Sequence, residues 1–199
     1  LVRRLPAVET LGRTSVICSD KTGTLTKDEM TVRAVFVNRQ VLQVSGTGYE
    51  PDGLFSHNDT VVKPTQSLKL FLQAAALASD AHIVRDESAG RWDVKGDPTE
   101  GALVVAAAKA GLNKSDLDVQ LPRINEIPFT SERKRMTTIH TSSDGVLACS
   151  KGAPELILDS CTRYLTENGE VELAAAEKEL ILETARQMAT SALRVLAVA

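Results

Sequence analysis

The string from Val16 to Thr26 constrains what this 199-residue chain can fold into more than any other stretch. Val16-Ile17-Cys18 is a short apolar run that stops at Ser19-Asp20 and is followed by Lys21-Thr22-Gly23-Thr24-Leu25-Thr26. Such a run reads as a buried strand breaking into a turn, with the Asp20 carboxylate exposed at the strand's carboxyl end, the usual ligand crevice of an α/β sheet. Gly23 lets backbone approach a ligand closely, and the neighbouring hydroxyls and N–H groups can receive phosphate oxygens. Lys21 sets a positive charge beside the carboxylate. A carboxylate in that setting can act as a nucleophile on a phosphoryl group. Asp-x-x-Gly alone is an ordinary turn. The whole seven-residue string carries the weight, because at roughly one in twenty per position a chance match is on the order of one in a billion.

The remainder reads as mixed α and β. Residues 31–37 and 41–44 are rich in β-branched residues and flank Asn38-Arg39-Gln40, which predicts a hairpin. Residues 46–64 hold Gly, Pro, Asp, Asn and Ser in quantity and read as a loop. Leu68, Phe71, Leu72, Ala75 and Ala78 have helical spacing over 65–79. Asp97 as N-cap, Pro98 at the first helical position and Gly111 as terminator delimit a second helix. Strands are expected over 124–129, 136–141 and 146–150, with Ser143-Asp144-Gly145 as a turn. A short helix over 154–161, an Asn168-Gly169 turn, a long amphipathic helix over 174–192 and a strand over 193–199 complete the order. The helical face of the long helix carries Leu180, Ile181, Thr184 and Met188. Antiparallel hairpins mixed with helices define an α+β class.

Charge and cysteine content narrow the partners. The formal net charge of −3 argues against a nucleic-acid binder, which needs clustered positive charge. Arg133-Lys134-Arg135 is a short basic stretch suited to a small phosphorylated ligand. Cys18, Cys149 and Cys161 show no CxxC spacing, which fits buried thiols in a reducing compartment better than a disulfide framework or zinc site. No apolar run approaches the ~18 residues of a membrane span, and no signal peptide is evident.

Asp20 to Thr26 resembles the phosphorylation motif of the P-type ATPases, and the resemblance extends over nearly the whole chain. Residues 4–12 look like the connection from a transmembrane helix. Lys95 to Leu103 is similar to the helix bordering the adenine pocket, and Pro128-Phe129 with Glu132 to Met136 to the adenine-stacking segment. Lys151-Gly152-Ala153-Pro154-Glu155 looks like the family's lysine loop, and Leu193 to Ala197 like the strand bearing the pocket's arginine. The resemblance implies that Asp20 is the phosphoryl acceptor, Lys21 a charge-stabilising neighbour, and Thr22 a contact for phosphate and, through its carbonyl, for Mg²⁺. Asp20 and Thr22 would then supply part of a Mg²⁺ site. Phosphatases of the haloacid-dehalogenase-like superfamily usually carry a second Asp two residues on. Thr22 stands there and cannot act as an acid or base near neutral pH, which favours a pump over a phosphatase.

The implied nucleotide contacts are Glu100, Phe129, Lys134, Met136, Lys151, Gly152 and Arg194. Each also has a bland reading. Phe129 at a strand end is usually core, although beside a basic cluster it can stack on a base. Lys151 is ordinarily solvated, and Gly152 leaves room for a ligand beside it. Glu100 in a first helical turn favours the helix dipole without any ligand. Arg194, in an apolar run, needs a carboxylate or phosphate partner. Arg133 and Arg135 read as a solvated face. Two departures from the family pattern stand out: Ser131 where an Arg is frequent, and Ala192 where a Gly is usual.

The resemblance implies a 1–31 piece of a haloacid-dehalogenase-like phosphorylation domain, holding its first strand, followed by a 32–199 nucleotide-binding domain with a twisted, mainly antiparallel sheet and packed helices. A further strand is expected after Ala199. Residues 4–12, Gly46-Thr47-Gly48-Tyr49 and Asp80 are most similar to the calcium-transporting subgroup. ATP and Mg²⁺ are the implied ligands, with the rest of the pump as partner at the cytoplasmic face of a membrane. The transported cation is expected to bind elsewhere. Nothing in the chain resembles the actuator loop or the later Mg²⁺ motifs, so the chain alone is expected to bind ATP weakly, to act at most as a nucleotide-binding module, and not to hydrolyse ATP. Residues 1 to about 30 are expected to be mobile or ordered only by a foreign contact.

Overall fold

The computed structural model describes residues 13–16, 18, 19, 29–87 and 90–199. Asp20, Lys21 and Thr22 lie outside these, as does Ile17 at the middle of the expected strand, and the mobility expected of the first 30 residues falls largely on undescribed positions. Val16 and Cys18 are described, are exposed and belong to no strand.

The first sheet is a run of hairpins, β1 (Ala34–Val37), β2 (Gln40–Val44), β3 (Phe55–His57) and β4 (Thr60–Val62), in the order β1-β2-β3-β4. Asn38 and Arg39 join β1 to β2 with φ of 51° and 60°, and Asn58 and Asp59 join β3 to β4 with φ of 46° and 62°. Two-residue loops of this hand need positive φ at both positions, which Asn and Asp tolerate best. Gln40 therefore belongs to β2 rather than to the turn. The second hairpin corrects the reading of 46–64 as a loop. Three-residue strands are too short to show alternation, and the Gly and Pro before them dominate the local composition.

Thr65 opens α1 (Gln66–Leu77), its hydroxyl accepting from the Leu68 N–H at 3.4 Å. Asp97 opens α2 (Pro98–Lys109), its Oδ1 accepting from the N–H groups of Thr99 at 2.8 Å and Glu100 at 3.2 Å. The two helices pack against each other, and Ala76 of the first with Ala106 and Ala107 of the second belong to the same buried core cluster. Side chains this small let helix axes approach at the close end of the usual range. Leu68, Leu72 and Leu77 of α1 also bury against Val35, Leu42, Val44 and Phe55 of the first sheet. Each fully buried Leu or Phe contributes about 1.5–3 kcal/mol relative to exposure.

Two elements escaped the sequence reading. The β5 (His82–Asp86) and β6 (Arg91–Lys95) hairpin follows α1, and α3 (Lys114–Gln120) follows α2 with Asn113 as its cap. Neither holds a run of apolar residues long enough to show a period.

The second sheet holds β7 (Arg123–Ile127), β8 (Arg135–Ser142), β9 (Gly145–Gly152) and β12 (Ala197–Val198), in the order β12-β9-β8-β7 with every pairing antiparallel. Met136, Thr138 and His140 alternate into the core along β8. His140 is fully buried; its Nδ1 donates to the Leu121 carbonyl at 2.8 Å, and its Nε2 lies 2.8 Å from the Thr138 hydroxyl.

α4 (Pro154–Asp159), the β10 (Arg163–Thr166) and β11 (Gly169–Glu172) hairpin and α5 (Ala175–Thr190) complete the described elements. The strand expected over 193–199 shortens to Ala197–Val198. Ala192 takes φ of 59° and Leu193 bonds back to the Met188 carbonyl, so the chain leaves α5 in a turn. The apolar stripe of α5 stays out of the main core: Ile181, Thr184 and Met188 line a largely apolar cavity of about 640 Å³ shared with β1, α1 and residues 192–199. The α+β class holds, with four separate antiparallel groups of strands in place of one continuous sheet. Among the described residues no helix is long and apolar enough to cross a membrane.

Candidate functional site: a buried lysine–glutamate pair at one end of the second sheet

Antiparallel register gathers the predicted residues. Met136 of β8 lies opposite Lys151 of β9, and Arg135 opposite Gly152, which on its other side pairs with Ala197 of β12. Phe129 follows the end of β7, Lys134 precedes β8, and Arg194 sits three residues before β12. All therefore fall at the same end of the sheet.

Lys151 is the centre of this end. It is only 8% exposed, although lysine is normally solvated. Its ammonium donates to Glu100 Oε1 at 2.6 Å and to Ser79 Oγ at 3.1 Å. Burial pushes its pKa below the ordinary lysine value, and the Glu100 hydrogen bond and charge oppose that shift.

Glu100 occupies the third position of α2, where a glutamate often folds back on its own N-cap. Here it reaches across to the turn after α1. Its Oε2 accepts from the backbone N–H groups of Asp80 at 2.7 Å and Ala81 at 3.2 Å. With Lys151 on Oε1, three of the roughly four lone-pair sites of the carboxylate are filled. Gly96 makes this crossing feasible. Its φ is +124°, and a Cβ there would stand 2.8 Å from the Ala81 Cα.

Gly152 is constrained as tightly. A Cβ there would meet the Lys134 carbonyl oxygen at 2.4 Å and the Arg135 Cβ at 2.6 Å. Lys134 has φ of 46°, uncommon for a residue with a Cβ, and its carbonyl accepts from the Ala153 N–H at 3.0 Å. The Lys134 side chain is exposed, and Met136 is buried beside Lys151. Phe129 is 59% exposed, so the ring is left available rather than spent on the core. Arg194 donates to the Thr99 hydroxyl at 3.1 Å, and that hydroxyl donates to Met30 Sδ at 3.4 Å, which ties the C-terminal segment and residue 30 to the start of α2.

Several expectations are corrected. Arg135 is half-buried and donates to the Leu156 carbonyl at 3.3 Å, and Arg133 reaches the Pro128 carbonyl at 3.4 Å, so neither is merely a solvated face. Of the three cysteines expected to be buried, only Cys149 is; Cys18 is exposed and Cys161 intermediate. Burial raises the Cys149 thiol to a pKa of about 11. Of the predicted nucleotide contacts only Arg194 lines the 640 Å³ cavity, so the cavity and the lysine–glutamate site are different places. Among the described residues there is no group of three or more His, Cys, Asp or Glu able to hold a metal ion. Sequence reading missed Ser79 and Arg123, which belong to no recognisable motif, and Thr99, which lies within the Lys95 to Leu103 motif but was not singled out there.

The domain is thus of the α+β class, with a charged pair enclosed at one end of its second sheet. The family model described as "P-type ATPase, cytoplasmic domain N" matches residues 67–199, and the chain belongs to that family. It is similar to the probable cation-transporting ATPase F of Mycobacterium tuberculosis, 42% identical over 99% of this chain. It is also similar to a calcium-transporting ATPase of Bacillus subtilis, 40% identical over the whole chain. The calcium-transporting ATPase type 2C member 1 of Homo sapiens is 36% identical over the same extent. The chain spans 22% of the length of each of these relatives.

Proposed function

We propose that this chain presents ATP for phosphoryl transfer to Asp20 within a cation-transporting pump, with calcium as the transported ion. What carries the reading is the gathering of Glu100, Phe129, Lys134, Lys151, Gly152 and Arg194 at one end of the second sheet, where Phe129 is exposed and Lys151 is buried. The names of the cation- and calcium-transporting relatives support the choice of ion.

In this reading Phe129 stacks on adenine, and ring stacking on a base is worth about 1–3 kcal/mol. Lys134 and Arg194, both exposed, meet phosphate oxygens, and Gly152, whose missing side chain lets the Lys134 carbonyl close in, fixes the backbone that carries Lys134. Lys151 closes the polar floor of the pocket, held upright by Glu100 and Ser79. Glu100 has one lone-pair site left for a hydrogen bond from the adenine amino group. Ser131 offers no cation, so the affinity is weak. Residues 1–31 belong to the phosphorylation domain and 32–199 form the nucleotide-binding domain. Lys21 and Thr22 steady the phosphoryl group, and Mg²⁺ takes ligands from Asp20 and Thr22 together with groups elsewhere in the pump. ATP hydrolysis and ion movement are properties of that longer pump, whose domain described here faces the cytoplasm; the chain alone acts as a nucleotide-binding module.

A titration of the chain with ATP followed by NMR tests this reading. Shifts centred on Glu100, Phe129, Lys151 and Arg194 are expected. Unchanged spectra at millimolar ATP would overturn it, and steady turnover abolished by Asp20→Asn would overturn the claim that the chain alone is inactive.

A further inference from the structure

We propose that Arg123, the first residue of β7, is a positioning residue that sets the Glu100–Lys151 pair by clamping the turn after α1; as a contribution to nucleotide binding this rests on the function proposed above. The turn 79–81 holds the pair from three sides. Ser79 Oγ accepts from Lys151, while the N–H groups of Asp80 and Ala81 bind Glu100 Oε2. Among the described residues, every hydrogen bond to the two side chains, other than the one between them, therefore comes from three consecutive residues.

Arg123 fixes those residues in turn. Its Nη2 donates to the carbonyls of Leu77 at 3.2 Å and Ser79 at 3.1 Å, and its Nη1 to Asp80 Oδ1 at 2.5 Å and Glu126 Oε2 at 2.9 Å. The carbonyls at a helix C-terminus lack intrahelical partners and carry the negative end of the helix dipole. The last turn of α1 has no basic residue of its own, so a cation from another strand supplies what the helix sequence omits. The two-sided pattern requires a guanidinium, because one nitrogen serves two carbonyls while the other serves two carboxylates. With Asp80 held at its side chain and Ser79 at its carbonyl, the Asp80 and Ala81 N–H groups point at Glu100 before any ligand arrives. Arg123 touches neither Glu100 nor Lys151 by hydrogen bond or ion pair. It acts through the turn.

The test compares ATP binding by the parent chain, Arg123→Met, Arg123→Lys, Glu100→Gln and the Arg123→Met/Glu100→Gln pair. Arg123→Met is expected to weaken ATP about tenfold. In the Glu100→Gln background the same change is expected to cost less than about twofold, because its route of action is already gone. Arg123→Lys keeps a cation at Asp80 but loses the carbonyls, and recovers less than half of the loss. Additive losses, full recovery by lysine, or unchanged affinity in Arg123→Met overturn the proposal. The backbone amide signals of Asp80 and Ala81 give a second readout that needs no nucleotide. Glu100→Gln shifts both in the parent chain and shifts them less than half as far in the Arg123→Met background; equal shifts overturn the proposal. A parent chain that binds no ATP overturns the proposed function, and the amide shifts then decide the role of Arg123 alone.

Discussion

Lys151 donates to Glu100 at 2.6 Å from the end of β9 to the first turn of α2, and each residue is mostly buried, with side-chain exposures of 10% and 14%. Two opposite charges so enclosed lose hydration that their attraction only partly returns. Replacing Lys151 with Met leaves the carboxylate with its two backbone donors. The expected loss is therefore about 1–3 kcal/mol, short of the ~3–5 kcal/mol of a charge left wholly uncompensated. Replacing both residues, Lys151→Met with Glu100→Leu, is expected to cost less than the two single changes added. Urea denaturation of the three variants measures this, and strict additivity would contradict the pairing.

The lowered pKa of Lys151 gives the pair a pH signature. In the folded chain Lys151 releases its proton below the ordinary value of 10.5, chiefly because of burial. Between that lowered value and 10.5 the unfolded chain binds more protons than the folded one, so this group makes stability rise with pH in that window. Lys109, also lowered by burial, adds the same sign. Cys149 and Cys161, both raised by burial, carry the opposite sign in the same range, so the signature of Lys151 is a difference: urea midpoints at successive pH values below 10.5 should rise more, or fall less, in the parent chain than in Lys151→Met.

Gly152 offers a steric test of the same corner. An alanine Cβ would stand 2.4 Å from the Lys134 carbonyl oxygen, and backbone cannot swing aside as a flexible side chain does. Gly152→Ala is expected to cost about 1–3 kcal/mol, the usual range for overpacking, and to disturb the Lys134–Ala153 hydrogen bond. A thermal melt together with the Ala153 amide signal reports both effects. An alanine variant with parent stability would show that β8 and β9 separate more easily than their geometry indicates.

Helix boundaries were the most legible part of the fold, and the reason is local chemistry. Asp97, Pro98 and Gly111 mark α2 with side-chain acceptor, fixed φ and left-handed exit, none of which needs tertiary context. The β3–β4 hairpin was illegible because three-residue strands show no period and the Gly and Pro upstream read as loop. The separation of strands into four groups was equally hidden, since nothing local says which hairpins join. At the site, Glu100, Lys151 and Arg194 were legible through motif resemblance. Arg123 was not, because its partners are backbone carbonyls of a distant helix, and a carbonyl leaves no mark in a sequence.

The two glycine-type helix exits in this chain form an internal comparison. After α2, the N–H groups of Gly111 and Leu112 bond back to the carbonyls of Ala108 and Ala107. After α5, those of Ala192 and Leu193 bond back to Ala189 and Met188 in the same pattern. The residue in the left-handed position is Gly111 at φ of 82° in the first and Ala192 at φ of 59° in the second. An alanine there carries a Cβ strain of roughly 1–2 kcal/mol, partly offset by its smaller loss of chain entropy on folding. Ala192→Gly should therefore stabilise the chain by about 0.5–1 kcal/mol, read as a higher urea midpoint with an unchanged slope. A lower midpoint would mean that the turn is held by packing of Leu193 rather than by the backbone.

Arg39 and Glu177 supply the acid-sensitive contact. Arg39 stands at the tip of the β1–β2 hairpin, and its Nε donates to Glu177 Oε1 at 3.0 Å, with Nη2 on the other oxygen. Glu177 is the buried member, in the first turn of α5, and the Arg39 hydrogen bond holds its pKa below the usual carboxylate value. A depressed carboxylate stabilises the fold above its unfolded value of 4.5 and loses that contribution as pH falls through the folded value. Glu167, lowered first by its hydrogen bond from Ser67, carries the same sign and also meets the hairpin tip, through Asn38. Arg39→Gln is therefore expected to melt below the parent at neutral pH, with the difference narrowing once the pH drops under 4.5. The Glu167 contact remains in that variant, so some acid dependence should persist, and the Arg39→Gln/Glu167→Gln pair should lose most of it. A melting difference that stays constant from neutral to acid pH would assign the effect of Arg39 to packing of its aliphatic stem instead of to the charge on Glu177.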